Sequence, residues 1–358
     1  MQLISYIAPG APATRRPAAG NEPFLRPEIG FTPKWYRQRL GIDFGERWHT
    51  DPASRRESVV AMRAELGLSF PGLGIGGEGL IDLLTGVFGA LTVAGIYGVP
   101  IRYAADGWPV AEHAYLSDDK ADRLEPPVLD DNALFRALLA QMDWIAEHAD
   151  GVRGYVNWQS PVNTAHRLRG PELFTDLVVA PERAHRLFDC VCTTMIETAE
   201  CVHARQRASG FEVPFFTVSN CLVNMLSPEQ YREFLLPLDQ RIAERFGCIG
   251  VHNCAWNANP YLDAYAAIPN VGYIDMGLAS NLARARELFP DVRRALMYTP
   301  MDLANKPLEE IRADLECVAD EYGPCDIVAA DIEADTPDQR VRDFVALCAQ
   351  ISESWPVS

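Results

Sequence analysis

Short apolar runs alternate with longer amphipathic segments through the second half of the chain. From residue 150 onward, each run is rich in β-branched and aromatic residues and is nearly continuously apolar. Such runs are typical of strands buried on both faces of a parallel sheet, and their alternation with helices indicates βαβ units. The predicted strands are residues 154–158, 213–218, 248–252, 271–275, 295–299 and 326–331.

The helix predicted between the second and third of these strands has clear signals at both ends. Ser227 is placed as an N-cap, Pro228 takes the first helical position, and Gln230 can complete a capping box. Apolar residues then recur at helical spacing until Gly247 ends the helix, and Pro237 is expected to kink it. Two further helices are predicted at residues 307–320 and 337–351.

The number of units favours an α/β fold of the (β/α)8 TIM-barrel type. Six strands are predicted as above, and a further strand is expected around residues 69–77. Residues 98–116 read as a hairpin inserted in the barrel. Residues 10–56 are rich in Pro, Gly, Arg and aromatics without a sustained period, so we expect residues 1–56 to form an extended N-terminal lead-in packed on a barrel of residues 57–358. Alternatively, Arg37, Arg39 or His49 from this lead-in reach into a site.

Composition narrows the class of protein. The chain has 358 residues, 49 acidic against 32 basic side chains, and a formal charge of −17, so nucleic acid and anionic membranes are poor partners. No apolar run approaches the length of a bilayer span, and the first residues have no secretory type of apolar core, so we expect a cytoplasmic protein. Nine cysteines, an odd number thinly spread along the chain, do not resemble a disulfide framework.

Reactive groups of such barrels lie at the C-terminal ends of the strands. His252 and Cys254 follow the 248–252 strand two residues apart, and an imidazole with a thiolate suits Zn²⁺. For a third ligand we prefer Asp331, at the end of the last strand, with Glu333 as the alternative. Cys325 lies at the start of that strand, roughly 16 Å from the other end, and is excluded by geometry.

Further candidates come from the other strand ends and loops. The segment GLGIGGEGL (72–80) has glycines at dinucleotide-like spacing, but a single match is weak, and we interpret it as a loop lining the barrel mouth that presents Glu78. The residues predicted to act in catalysis are Glu78, Asn220 and Tyr298. Those predicted to bind substrate are Arg37, Arg39, Trp158, Gln159, Asn220 and Trp256.

Four segments have an order and spacing found together in one superfamily. They are residues 163–189, 226–242, 250–257 (GVHNCAWN) and 334–341. Through them the chain resembles the uroporphyrinogen decarboxylase superfamily, which includes tetrapyrrole decarboxylases and zinc-dependent cobalamin:thiol methyltransferases. The resemblance implies a (β/α)8 barrel with one active-site mouth.

The resemblance is closer to the methyltransferase branch. His252 and Cys254 match the H-x-C of the methyltransferases, whereas their third Cys is replaced here by Ala330 or Asp331. Residues 33–39 resemble an N-terminal P-x-W-x-x-R-Q stretch of the decarboxylases, but the catalytic Asp of that branch falls on Gly89. The acid needed to protonate a pyrrole would therefore be missing.

These observations predict a zinc-dependent methyltransferase-like enzyme that moves a methyl group between a corrinoid (cobalamin) and a thiol or similar nucleophile. The chain has no corrinoid-binding signature of its own, so the cobamide would be free or bound to a carrier protein; a homodimer is possible. The alternatives are a metal-assisted decarboxylase or lyase acting on a small carboxylate held by Arg37 or Arg39, and a non-catalytic barrel that binds a tetrapyrrole or corrinoid.

Overall fold

The structure, a computed structural model, describes residues 22–73, 81–213 and 216–355. Six strands within these residues form one parallel sheet, and two others form an antiparallel hairpin. In chain order, the strands are β1 (Leu25–Phe31), β2 (Ile101–Ala104), β3 (Gly107–Ala111), β4 (Phe216–Ser219), β5 (Ile249–His252), β6 (Val271–Gly277), β7 (Arg293–Met297) and β8 (Cys325–Ile332). The spatial order of the parallel sheet is β1-β8-β7-β6-β5-β4, so sequential strands from β4 to β8 are neighbours.

Helices separate the strands and cover the sheet. The helices are α1 (Pro33–Leu40), α2 (Glu46–Thr50), α3 (Pro52–Ser69), α4 (Thr92–Ile96), α5 (Asp118–Asp122), α6 (Ala133–His148), α7 (Pro161–Arg169), α8 (Glu172–Val179), α9 (Pro181–Ala208), α10 (Pro228–Gln230), α11 (Leu236–Phe246), α12 (Leu262–Tyr265), α13 (Leu282–Leu288), α14 (Pro300–Asn305), α15 (Leu308–Tyr322) and α16 (Asp338–Ser354). Within the described ranges, no helix combines the length and the apolar character needed to cross a membrane.

The strands predicted from residue 248 onward are confirmed within two residues at each end, and residues 216–218 of the 213–218 prediction lie in β4, whereas Val213 lies outside it. The first prediction, 154–158, is wrong, because none of these residues lies in a strand. The backbone beyond it pairs with the end of β4, where Ser219 N donates to Trp158 O (3.0 Å) and Ser160 N donates to Ser219 O (3.1 Å). The strand expected at 69–77 is wrong for its described part, since α3 extends to Ser69 and residues 70–73 form a turn; residues 74–77 lie outside the described ranges.

The expectation of an extended lead-in without regular structure is also wrong for its described part. Residues 25–31 form β1, which pairs in parallel with β8, and α1, α2 and the start of α3 follow before residue 57. A seven-residue strand whose partner is about 300 residues away has no local signal stronger than its alternation. The aromatic side chains of this segment, Trp35, Tyr36, Phe44 and Trp48, are buried.

The capping predicted for the helix after β4 is confirmed, and the structure shows how this helix accommodates Pro237. Ser227 and Gln230 form the reciprocal capping box, and Gly247 ends α11 in the left-handed region (φ 76°). Between α10 and α11, residues Tyr231–Leu235 form a π-helical turn. Because Pro237 has no N–H and its ring crowds the preceding turn, a wider turn accommodates it without a break.

The predicted insertion at residues 98–116 is confirmed as the β2–β3 hairpin. It packs against the N-terminal segment, where Phe44 N donates to Ala105 O at 3.0 Å. Gly89 lies directly under it: the backbone φ is 57°, and a Cβ built there would be 3.0 Å from Pro109 Cδ. The hairpin is therefore held closely against the barrel.

Candidate metal centre

Polar side chains at the C-terminal ends of β4, β5 and β6 meet because these strands are in register. Ser219 lies opposite His252, and His252 lies opposite Asp275. The loops that leave β4 and β5 carry Cys221 and Cys254. Since the carboxyl ends of parallel strands share one edge of the sheet, these groups converge on one place.

The ligand atoms of Cys221, His252 and Cys254, called here the metal group, all lie within 4.8 Å of one another. His252 is buried, and the two cysteines are half-buried. A tetrahedral zinc site with Zn–S bonds near 2.3 Å and Zn–N bonds near 2.0 Å separates its ligand atoms by about 3.5 Å, so a small contraction would suffice. Two thiols and an imidazole are donors that Zn²⁺ prefers, and three protein ligands leave one position open.

Asp275 holds the residues of the metal group in place through hydrogen bonds. Its buried carboxylate accepts from His252 Nδ1 (2.6 Å), Asn253 N (2.9 Å), Cys254 N (3.1 Å) and Tyr273 OH (2.8 Å). With Nδ1 bonded to Asp275, His252 presents Nε2 to a metal, which is the usual arrangement behind a ligating histidine. Asp275 stands at a strand end in the sequence, but no role could be assigned to it there.

Cys254 does not simply continue the extended strand, as its i, i+2 relation to His252 suggested. Strand β5 ends at His252, and Cys254 has a left-handed backbone (φ 60°). A non-glycine residue in that region costs of order 1 kcal/mol or more. The hydrogen bond from Cys254 N to Asp275 helps to hold the turn, which brings Sγ to the side occupied by the imidazole.

The electrostatics of the metal group favour one thiolate. A hydrogen bond with Cys221, followed by one with His252, lowers the pKa of the Cys254 thiol to about 4. The same bond with Cys254, together with burial, raises the pKa of Cys221. Burial opposes the imidazolium, yet the pKa of His252 is raised well above its usual value by the charge and hydrogen bond of Asp275 and by bonds with both sulfurs. Negative charge on sulfur is thus already stabilised before a metal binds.

The structure places Cys221, and not Asp331, in the third position of this group. Asp331 lies near the end of β8, with a left-handed backbone (φ 55°), and its carboxylate accepts from Trp108 Nε1 at 3.3 Å. Asp331 is exposed, the loss of surrounding water and the charges of Cys254 and Glu333 raise its pKa, and it is not among the ligand atoms that lie within 4.8 Å of one another. Cys325 opens β8 and is buried at the opposite edge, as predicted.

The predicted catalytic residues are dispersed. Asn220 is buried beside the metal group, where its backbone N donates to His252 O (2.8 Å) and its side chain reaches Asp239 (3.5 Å), so it supports the loop of Cys221. Tyr298 donates instead to Asp314 Oδ2 of α15 at 2.8 Å. Glu78 lies outside the described residues.

The predicted arginine clamp for substrate is also engaged elsewhere. Arg39 forms a bidentate pair with Asp338 (2.5 and 3.0 Å) and stacks on Trp35. Arg37 lies 3.5 Å from Ala105 O and 3.8 Å from an Asp43 oxygen. Neither guanidinium is directed by these contacts to the metal group.

Of the remaining predicted substrate contacts, Trp256 is the one that stays open. It follows Cys254 in the loop after β5 and is 48% exposed. Trp158 is buried and stacks on Phe216, and Gln159 is buried and accepts from Asn163 Nδ2 at 2.6 Å. Both therefore contribute to packing beneath the edge.

The parallel strands are covered by helices, and the candidate metal ligands lie at the carboxyl ends of those strands. This arrangement is typical of TIM-barrel proteins, whose active sites lie at that edge. Within that class, the chain belongs to the uroporphyrinogen decarboxylase (URO-D) family, whose profile matches residues 79–347. The (β/α)8 barrel is thereby confirmed, and the superfamily comprises decarboxylases and methyltransferases. No curated protein sequence matches the chain.

Solved structures agree on the fold. A methyltransferase from Methanosarcina mazei is similar with a TM-score of 0.63 and 16% identity, covering 95% of this chain and 94% of its own. A Listeria monocytogenes protein titled "Putative Vitamin-B12 Independent Methionine Synthase" is 14% identical over 64% of this chain and 71% of its own. Its TM-score of 0.37 is too low to support a conclusion about the fold.

Proposed function

We propose that the protein is a zinc-dependent methyltransferase that moves a methyl group between a corrinoid and a thiol or similar soft nucleophile. The observation that carries this proposal is the metal group, in which Cys221, His252 and Cys254 offer three ligands and leave one position open. When bound there, Zn²⁺ would lower the pKa of a substrate thiol and hold it as a thiolate. The methyltransferase similar in fold is consistent with this proposal.

The protein's own residues would prepare that position. Asp275 holds His252 in the tautomer that points Nε2 forward, and it holds the backbone of Cys254 in its left-handed turn. Asn220 ties the loop of Cys221 to His252 through the backbone. A site held in this way needs little rearrangement when a metal and a thiol bind.

The corrinoid would approach from the open edge of the barrel. The exposed apolar side chains Met225 and Trp256 lie on the segments that follow β4 and β5, and Met301 lies in α14, which follows β7. Apolar and aromatic groups at this edge suit a broad macrocycle. We infer that the cobamide is supplied free or by a separate carrier protein.

The geometry gives less support to decarboxylation. The position of the decarboxylase Asp is Gly89, where φ is 57° and a Cβ would lie only 3.0 Å from Pro109 Cδ. Arg39, one of two candidates for binding a carboxylate, is already paired with Asp338. The residues that would protonate a pyrrole ring and clamp its acid groups are thus missing or engaged.

Transfer of the methyl group from methylcobalamin to a panel of thiols tests the proposal. We expect zinc-dependent transfer by the native protein and a loss of both bound zinc and transfer in His252→Ala. His203→Ala is the matched control, since His203 is a half-buried imidazole that packs edge-on against Phe246 and does not belong to the metal group. Native protein that binds no zinc, or full zinc-dependent transfer by His252→Ala, would rule out the proposal.

A further inference from the structure

Asp331 is a carboxylate at the open edge that contacts the inserted hairpin through Trp108. It lies near the end of β8 and is exposed to solvent, with a left-handed backbone (φ 55°). β5 and β8 belong to the same parallel sheet, so Asp331 lies at the same carboxyl edge as the metal group. A substrate bound to the open position would lie beside it.

No cationic side chain of the described residues forms an ion pair with Asp331. Its hydrogen bond comes from the indole of Trp108 Nε1 (3.3 Å), on strand β3 of the inserted hairpin. The indole N–H fixes the carboxylate in place and leaves it able to accept a charge-assisted hydrogen bond from an ammonium group. Trp108 is half-buried, so part of its surface remains available.

The same edge is poorly equipped for an anionic substrate. Arg39 is committed to Asp338, and Arg37 lies against Ala105 O and Asp43. The formal charge of −17 also opposes the approach of an anion. The charge of the edge therefore favours a cationic group on the nucleophile.

We propose that Asp331, together with the indole of Trp108, selects thiol substrates that carry a nearby ammonium group. The inference rests on the proposed function, because it assigns a substrate class to the same open position. Asp331 is a specificity-determining residue in this account and not a metal ligand. A small aminothiol would bind with its sulfur at the metal and its ammonium at the Asp331 carboxylate.

Binding of three small thiols to the Co²⁺-substituted protein tests this without any turnover. The probes are 2-aminoethanethiol, 2-mercaptoethanol and mercaptoacetate, which differ in charge at similar size, and the readout is the sulfur-to-cobalt absorption band. We expect the aminothiol to bind about tenfold more tightly than the neutral thiol, as one charge-assisted hydrogen bond implies, and mercaptoacetate to bind most weakly.

Asp331→Asn removes the charge while suiting the left-handed backbone, which Asn adopts readily. In this variant the preference for the aminothiol over the neutral thiol should fall about tenfold relative to the native protein. Comparing the two proteins with the same thiols also cancels the effect of the different thiol acidities. Glu333→Gln is the matched control, because it removes a neighbouring negative charge that does not contact Trp108. It should change the preference by about twofold at most.

Each outcome decides the matter. A preference that survives in Asp331→Asn, or that falls equally in Glu333→Gln, overturns the role of Asp331, as does a loss of cobalt from Asp331→Asn, which would make it a ligand. Native protein that binds all three thiols equally overturns the inference and leaves the proposed function standing. Cobalt protein that binds no thiol overturns both.

Discussion

The two edges of the parallel sheet both hold clustered charges, but they satisfy them differently. At the N-terminal edge, Asp326 accepts from Arg26 Nε (2.6 Å) and from Arg293 Nε and Nη2 (2.7 and 2.8 Å), and Glu22 and Glu28 pair with the same arginines. At the C-terminal edge, Asp331 has no cationic partner among the described residues, and Cys254 and Asp331 both have left-handed backbones.

This difference assigns a structural role to the N-terminal edge and a functional role to the C-terminal edge. A cluster whose charges are all paired holds the ends of β1, β7 and β8 together and leaves nothing for a ligand. Strained backbone and incompletely paired polar groups are instead retained where a ligand completes them. The following predictions test this contrast, from the largest expected effect to the smallest.

Asp326→Asn should cause the largest loss of stability. The substitution removes the carboxylate that the buried Arg293 and the half-buried Arg26 both contact, and breaking a buried pair costs about 3 to 5 kcal/mol. Urea unfolding would measure the change. Zinc content of the folded fraction should equal that of the native protein, and a selective loss of zinc would contradict the assignment of this edge to structure.

Asp239 of α11 should make stability depend on pH. Burial raises its pKa to about 6, although Tyr231 and Asn220 donate hydrogen bonds that oppose this, and its Oδ1 has no partner among the described residues. Because the folded protein holds the proton more tightly than the unfolded chain, this contribution is complete below about pH 4 and is lost as pH rises through 6.

The free energy of unfolding of the native protein, relative to Asp239→Asn, should therefore fall by about 3 kcal/mol between about pH 4 and pH 7. Unfolding by urea at a series of pH values measures it, and the comparison with Asp239→Asn cancels the other titrating groups. A difference that is independent of pH would show that Asp239 is ionised throughout, like a carboxylate of the fully paired edge.

Asp275→Asn should weaken zinc binding by about 10- to 100-fold, because it removes the acceptor that orients His252 and the turn of Cys254. Competition with a chelator measures the affinity. Tyr273→Phe is the matched control, since it removes one donor to Asp275 and leaves the carboxylate. An equal loss in both variants would assign the effect to packing.

Tyr298→Phe should have the smallest effect. Its hydroxyl bonds to Asp314, and loss of that bond should cost about 1 kcal/mol of stability. Methyl transfer should change by less than about twofold, which the methylcobalamin assay would measure. A large loss of methyl transfer with unchanged stability would show that Tyr298 takes part in catalysis, as the sequence alone suggested.

Features encoded within a few residues could be predicted from the sequence. The capping box at Ser227, the strands from 248 onward and the pairing of His252 with Cys254 all rest on local spacing. Features that depend on distant partners could not. Strand β1 became recognisable only through its pairing with β8, about 300 residues away.

The third ligand shows the same limit. Cys221 stands at a strand end in the sequence, but its closeness to Cys254 depends on the adjacency of β4 and β5 and on the left-handed turn at Cys254. Asp331 occupied the position that the family resemblance indicated, and the hairpin that brings Trp108 to its carboxylate had no sequence signal linking it to β8.

Zinc stoichiometry of single cysteine and aspartate variants tests the central claim most directly. We predict about one zinc per chain in the native protein, in Cys325→Ser and in Asp331→Asn, and loss of zinc in Cys221→Ser, because Cys221 belongs to the metal group and the other two do not. Zinc retained by Cys221→Ser and lost from Asp331→Asn would contradict the account and would identify Asp331, at the end of β8, as the third metal ligand.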